Sequence, residues 1–146
     1  MSAPDVAATP HLDWLFALQR FGIKPGLGPM KTLLADLGAP QAGMRNVLVA
    51  GTNGKGSVAR AISASLVEAG EVTGLYTSPH LQHVGERVQV SGAPTPDAEL
   101  DELIGRVRPA AERNENTFFE VITAVALLRF AEAGVSTAVL EVGLGG

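Results

Sequence analysis

Apolar positions along this chain change their spacing several times, and each change marks an element. Over residues 11–21, Leu12, Leu15, Phe16 and Gln19 recur at helical spacing, while Trp14, Leu18 and Phe21 widen the apolar face. Gly22 should stop that helix, and Pro25-Gly26-Leu27-Gly28-Pro29 reads as a loop. A second short helix fits 30–38, ended by Gly38 with Pro40 beyond. The run Asn46-Val47-Leu48-Val49-Ala50 is almost continuously apolar, which predicts a strand buried on both faces. A Gly-rich loop over 51–57 follows, then an Ala/Leu-rich helix to Gly70 and a second strand over 71–77. Strand, loop, helix and strand in that order make a crossover unit, so the two strands should run parallel.

The second half keeps the alternation. From Ser78 to about Gly85 no period holds, and the stretch reads as a long loop. Residues 86–91 alternate like a minor strand, and Pro96 to Arg113 predicts an amphipathic helix. Thr117 to Ala133 predicts a more apolar and therefore more buried helix. Residues 137–142 form another apolar strand, cut off by Gly143-Leu144-Gly145-Gly146. The sum is an α/β fold, a P-loop-type parallel sheet flanked by helices, in one domain with residues 1–10 as a disordered lead-in. Three parallel strands are few for this architecture, and the chain stops in a Gly-rich loop just after a central strand. A domain truncated after residue 146, part of a longer protein, is the expectation.

Composition narrows the chemistry. The absence of cysteine removes disulfides, thiolate metal sites and a cysteine nucleophile, and it fits a reducing compartment. The formal net charge is -4 and no two Lys/Arg residues are adjacent, so there is no electrostatic footprint for nucleic acid. No apolar stretch approaches the ~20 residues of a membrane span. Met1 to Pro10 lacks the basic and apolar regions of a signal peptide. A cytoplasmic setting is expected.

The strongest chemical signal is Gly51-Thr52-Asn53-Gly54-Lys55-Gly56-Ser57, between a predicted strand and a predicted helix. Glycines let a backbone curl until its N–H groups point inward at a phosphate, and the helix start adds partial positive charge. Lys55 can then reach the β/γ-phosphates and Ser57 can approach Mg²⁺. One extra Gly56 separates the lysine from the serine, against the standard Gly-Lys-[Ser/Thr] ending. Glu141 ends an apolar strand, at the sheet edge where α/β folds bind ligands, and beside a phosphate loop it is well placed to hold Mg²⁺. Thr117-Phe118-Phe119-Glu120 has the Thr-x-x-Glu spacing of a capping box, which makes the phenylalanines core residues. Ser78 and His80 suggest a nucleophile and a base, yet there is no Gly-x-Ser-x-Gly elbow and no nearby Asp, which argues against a hydrolase. His80 and His83 are three apart but have no third ligand for zinc. Spacing alone makes Arg87 and His11 surface residues.

Five segments together resemble one family. Residues 49–59 (VAGTNGKGSVA), 74–81 (GLYTSPHL), 86–92 (ERVQVSG), 117–120 (TFFE) and 140–146 (LEVGLGG) occur in the order seen in folylpolyglutamate and dihydrofolate synthases, and 21–38 is similar too. The loop alone would also fit the related Mur cell-wall ligases; Gly56-Ser57 and Thr77-Ser78-Pro79-His80 favour the folate branch. The resemblance implies an N-terminal Mur-ligase-like ATPase domain, acting as a monomer, that uses ATP and Mg²⁺ to join L-glutamate to dihydropteroate or a folate. It implies ATP binding by Thr52, Asn53, Gly54, Lys55, Gly56 and Ser57, with Lys55 and Glu141 catalytic. It also implies Mg²⁺ on Ser78, Glu141 and Ser57, and pterin contacts from Gly22, Ile23, Lys24, Pro25, Thr117, Phe118, Phe119 and Glu120. The alternatives are a Mur-type amino-acid ligase and a non-catalytic nucleotide-binding fragment. Two departures stand out. The family commonly has Gly-Leu-Glu-Arg where this chain has Gly26-Leu27-Gly28-Pro29. The family also continues past Gly-Leu-Gly-Gly into an Arg-x-Asp-Ala-Thr-Asn segment, a metal-binding His, a modified Lys and a glutamate-binding domain, so this chain alone is not expected to ligate glutamate.

Overall fold

In the computed structural model the described residues are 8–80 and 82–143. Most of the expected lead-in (1–7), Leu81 and the closing Leu144-Gly145-Gly146 lie outside them. The first helix, α1, spans Pro10–Ala17 and tightens into a 3₁₀ turn over Leu18–Phe21 before Gly22 ends it at φ 69°. The second, α2, is Gly28–Asp36, two residues ahead of its predicted start. Pro29, read as a loop residue, sits instead in the first turn, where its missing N–H costs nothing.

Five strands follow the apolar runs: β1 Arg45–Val49, β2 Thr73–Tyr76, β3 Val88–Val90, β4 Ala93–Pro94 and β5 Thr137–Glu141. Helix α3 is Lys55–Glu68, α4 Asp97–Arg113 and α5 Phe118–Glu132. The sheet order is β1-β5-β2-β3-β4, with β1, β5 and β2 parallel and β3 and β4 added antiparallel. The predicted crossover therefore holds in direction, but β5 lies between its two strands. Register pairs Val49 with Glu141 and Tyr76 with Leu140. The end of the middle parallel strand is thus flanked by the loops leaving β1 and β2.

Two expectations about strands fail. β1 lies at one edge of the sheet: Val47 and Val49 pack against α3, while Leu48 on the opposite face is 67% exposed. A continuous apolar run does not say which face a neighbour covers. The predicted strand over 86–91 is shortened because Val84–Arg87 forms a 3₁₀ turn. The Glu86 carboxylate accepts the N–H groups of Gln82 and His83, both at 2.7 Å, and this local side-chain bonding outcompetes a ladder.

Helix α5 is buried nearly all round, as its composition predicts, between the sheet on one side and α4 and α1 on the other. Gly74 lets it approach: a Cβ there would lie 2.8 Å from the Phe130 ring. His11, expected at the surface, joins α1 to α4. Its N–H and that of Leu12 donate to Asp101 Oδ1 at 2.8 and 2.9 Å, and its ring lies against Gly105. Among the described residues no helix is long and apolar enough to cross a membrane.

Candidate functional site

The loop after β1 turns into α3 through Gly54, whose φ of 73° is left-handed backbone that glycine adopts without strain. Thr52, Asn53, Gly54 and Ser57 are exposed, so the loop presents its backbone to solvent. Lys55 opens the helix and sends its Nζ back to the carbonyl of Val142, 2.8 Å away, just beyond β5. Gly56 is needed for close approach, not for its φ. A Cβ there would meet Arg60 Nη1 at 3.1 Å and Glu141 Oε2 at 3.5 Å. Glu141 is buried and lies against the partially positive start of α3. Its Oε2 also accepts the N–H of Ser78 at 3.2 Å, which ties the end of β5 to the loop leaving β2.

On the other side, α5 starts with the predicted capping box. Glu120 Oε1 accepts the Thr117 N–H at 2.9 Å, and Thr117 Oγ1 accepts the Glu120 N–H at 3.3 Å. The cap holds Phe118 in the core, while Phe119 is 46% exposed, so only one of the two phenylalanines is a core residue. They are consecutive on a helix and cannot face the same way. The loop before α2 completes the enclosure, with Lys24 Nζ donating to the Glu115 carbonyl at 3.2 Å.

Between these elements lies a cavity of about 690 Å³, lined by Ile23, Lys24, Lys55, Ser78, Thr117, Phe119, Glu120 and Glu141, residues drawn from every segment singled out in the sequence. Gly22, Pro25, Phe118, Thr52, Asn53, Gly54, Gly56 and Ser57 are not among its lining residues. Tyr76, Arg87 and Thr123 are, and spacing did not identify them. The Tyr76 hydroxyl lies 3.1 Å from Thr123 Oγ1, and burial raises its pKa.

Arg87 reverses an expectation. It is 5% exposed, not a surface residue. Its Nε donates to His80 Nδ1 at 2.9 Å, and its Cζ lies 5.4 Å from the centre of the Phe118 ring. Burial lowers its pKa. Burial first, and then the Arg87 charge, lowers that of His80. The bond from Arg87 requires His80 Nδ1 to be unprotonated, so the ring is neutral and its proton is on Nε2. His80 is therefore neither a free base nor half of a zinc pair, and His83 turns away toward Asp97, 3.8 Å from its Nδ1. Among the described residues no group of three or more His, Cys, Asp or Glu could hold a metal by itself.

Known proteins similar to this chain in sequence and shape decide the family. A probable bifunctional folylpolyglutamate synthase/dihydropteroate synthase of Haloferax volcanii is 48% identical over 140 residues, covering 92% of this chain and 17% of its own. The dihydrofolate synthase/folylpolyglutamate synthase of Bacillus subtilis is 43% identical over 141 residues, covering 92% and 33%. A folylpolyglutamate synthase solved as a complex with AMPPCP and folate superposes with a TM-score of 0.84 at 38% identity, covering 94% and 35%. The chain matches the N-terminal part of the folylpolyglutamate/dihydrofolate synthase family. It spans about a third or less of the length of these relatives. No protein-family model matches it.

Proposed function

We propose that this chain is the nucleotide-binding portion of an ATP-dependent ligase that adds L-glutamate to dihydropteroate or a folate through an acyl phosphate. The observation supporting this reading is the convergence of Lys55, Ser78 and Glu141 with an apolar rim on one cavity. A carboxylate is a poor electrophile. Phosphorylation by ATP makes it a mixed anhydride with a good leaving group, and the amine of glutamate then displaces phosphate. Positioning and charge neutralisation supply most of such catalysis.

In this reading Thr52, Asn53, Gly54, Lys55, Gly56 and Ser57 bind the triphosphate. Lys55 exchanges the Val142 carbonyl for a phosphate oxygen and neutralises the transferring group. The acceptor substrate lies against Ile23, Lys24, Thr117, Phe119 and Glu120, with Gly22 and Pro25 shaping the loop and Phe118 supporting it from the core. The residues also fit Mg²⁺. Ser57, Ser78 and Glu141 offer hard oxygen donors, and one carboxylate suits an ion that completes its shell with water and phosphate oxygens. When bound, the ion would screen the charge of the phosphates. The setting is the cytoplasm, the chain acts as a monomer, and alone it does not complete the ligation.

Calorimetric titration with Mg·ATP tests the nucleotide role. Binding by the wild type and a loss of about 10- to 100-fold in Lys55→Ala are expected, the scale of a charge-assisted hydrogen bond. A folded wild-type chain that binds no nucleotide would remove the reading. Protection by dihydropteroate but not by a cell-wall nucleotide precursor separates the folate ligase from a Mur-type enzyme. Robust turnover of dihydropteroate and glutamate by the 146-residue chain would refute its incompleteness.

A further inference from the structure

Five charged side chains line the cavity: Lys24, Lys55, Arg87, Glu120 and Glu141. Four of them have a backbone partner, namely the Glu115 and Val142 carbonyls for the lysines and the Thr117 and Ser78 N–H groups for the carboxylates. Arg87 differs. Its partners are a neutral imidazole nitrogen and an aromatic face, and its Nη1 is buried with no acceptor. Among the described residues no carboxylate forms an ion pair with it. A buried donor left unsatisfied on a cavity wall points to a ligand that completes it.

The chemistry of the ligation fixes which end of the acceptor lies there. Its carboxylate is the group that ATP phosphorylates, so it belongs with Lys55, Ser78 and Glu141 at the phosphate loop. Lys55 Nζ meets the Val142 carbonyl just beyond β5, whereas the Arg87 carbonyl accepts the Thr77 N–H at the start of β3. The sheet order sets β3 two strand spacings from β5, roughly 10 Å. In a pteroate, a benzene ring and a two-atom link separate the carboxylate from the heterocycle, a reach of about 8 Å at standard bond lengths. An acceptor whose carboxylate is at Lys55 therefore brings its heterocycle to Arg87.

We propose that Arg87 recognises the pterin ring of the acceptor, donating to the ring carbonyl oxygen and the ring nitrogen beside it, and that His80 is the positioning residue that aims it. The inference rests on the folate-ligase reading above and adds a recognition residue to it. A pterin carries that oxygen and nitrogen side by side, the acceptor pair that guanine offers at O6 and N7 and that arginine reads with two hydrogen bonds. A lysine, as a point charge, has no fork to match such a pair. With Nε tied to His80 Nδ1 and the Phe118 ring against its face, the Nη end of the guanidinium is the part left to bind. It is held before the ligand arrives, which lowers the cost of binding.

The test is calorimetric titration of the full chain with dihydropteroate, with its 4-amino-4-deoxy counterpart, and with Mg·ATP. The counterpart keeps the carboxylate and the arm but replaces the ring carbonyl by an amine, a donor that faces a donor. The wild type should prefer the carbonyl compound by about tenfold or more, the scale of a hydrogen bond to a charged group. Arg87→Met, which removes the donors and keeps the length, should abolish that preference and leave Mg·ATP affinity unchanged. Arg87→Lys should retain only part of the preference, and it serves if the methionine variant does not fold. His80→Ala should weaken the preference, and His80→Asn, which restores an acceptor near the Nδ1 position, should recover it. A wild type without the preference overturns the proposal, and so does a preference undiminished in Arg87→Met or, if that variant does not fold, in Arg87→Lys. A loss that falls on Mg·ATP instead overturns the pterin assignment in favour of phosphate. A wild type that binds Mg·ATP but neither pterin ligand removes the folate reading itself, and this proposal with it.

Discussion

Two stretches of chain carry cations to the cavity: the exposed loop before α3 delivers Lys55, and the packed turn Val84–Arg87 delivers Arg87. In the loop, Gly54 has no other group within 4 Å of a would-be Cβ, and residues 51–53 before it are exposed. In the turn, a Cβ on Gly85 would lie 2.0 Å from the Thr95 carbonyl oxygen. The loop turns through Gly54 in open space and Lys55 Nζ bonds the Val142 carbonyl, so its chemistry and the stability of the fold are separable. The turn places its arginine by packing, so a change there reaches both.

Substitutions at the two glycines should break the symmetry most sharply. Gly85→Ala is expected to cost about 3 kcal/mol or more in urea denaturation, since the obstacle is backbone and the hairpin must shift. A cost below about 1 kcal/mol would mean the turn yields easily and the contrast is lost. Gly54→Ala should cost only about 1 kcal/mol, the strain of left-handed backbone in open space. Equal losses at the two glycines would erase the distinction.

Thr117→Ala sharpens the same comparison from the α5 side. It removes one half of the capping box and should cost about 1 kcal/mol of stability without altering nucleotide affinity. A change in Mg·ATP binding equal to that in Lys55→Ala would show that the cap serves the phosphate end after all.

The smallest effect belongs to Glu71, at the opposite end of the sheet from both regions. The Thr137 hydroxyl at 2.7 Å, with Ser136 and Arg45, holds its carboxyl below the ordinary 4.5. A carboxylate whose pKa is depressed by folding stabilises the protein above the unfolded-state value, and that contribution is lost as pH falls through the lower folded value. The midpoint of thermal unfolding should therefore fall more steeply below pH 4.5 in the wild type than in Glu71→Gln. Parallel curves would show that acid sensitivity arises elsewhere.

Most of the site was legible because its signals are local. Lys55 sits in a glycine-rich strand-to-helix loop, Glu141 ends an apolar run, and Thr117 and Glu120 have capping spacing. Each can be read from a few neighbouring residues. Arg87 and His80 could not be read so. They are seven positions apart, and each is an ordinary polar residue until a 3₁₀ turn brings the two side chains together. The signal that could have found Arg87 was Glu86, which closes that turn onto the N–H groups of Gln82 and His83. His11 was misread for a similar reason, since its partner Asp101 is ninety residues away.

The amino-acid pattern by itself determined the α/β class, the order of helices and strands, the position of the glycine-rich strand-to-helix loop and the cap of α5. These follow from period, glycine and short-range hydrogen bonding, which act within a few residues. Only the tertiary structure decided that β5 inserts between β1 and β2, setting the Glu141 carboxylate between two loops from distant parts of the chain. It alone decided that Leu48 faces outward and Arg87 inward. Strand order and burial depend on which surfaces are left to cover once the elements exist, and that is a property of the whole packing.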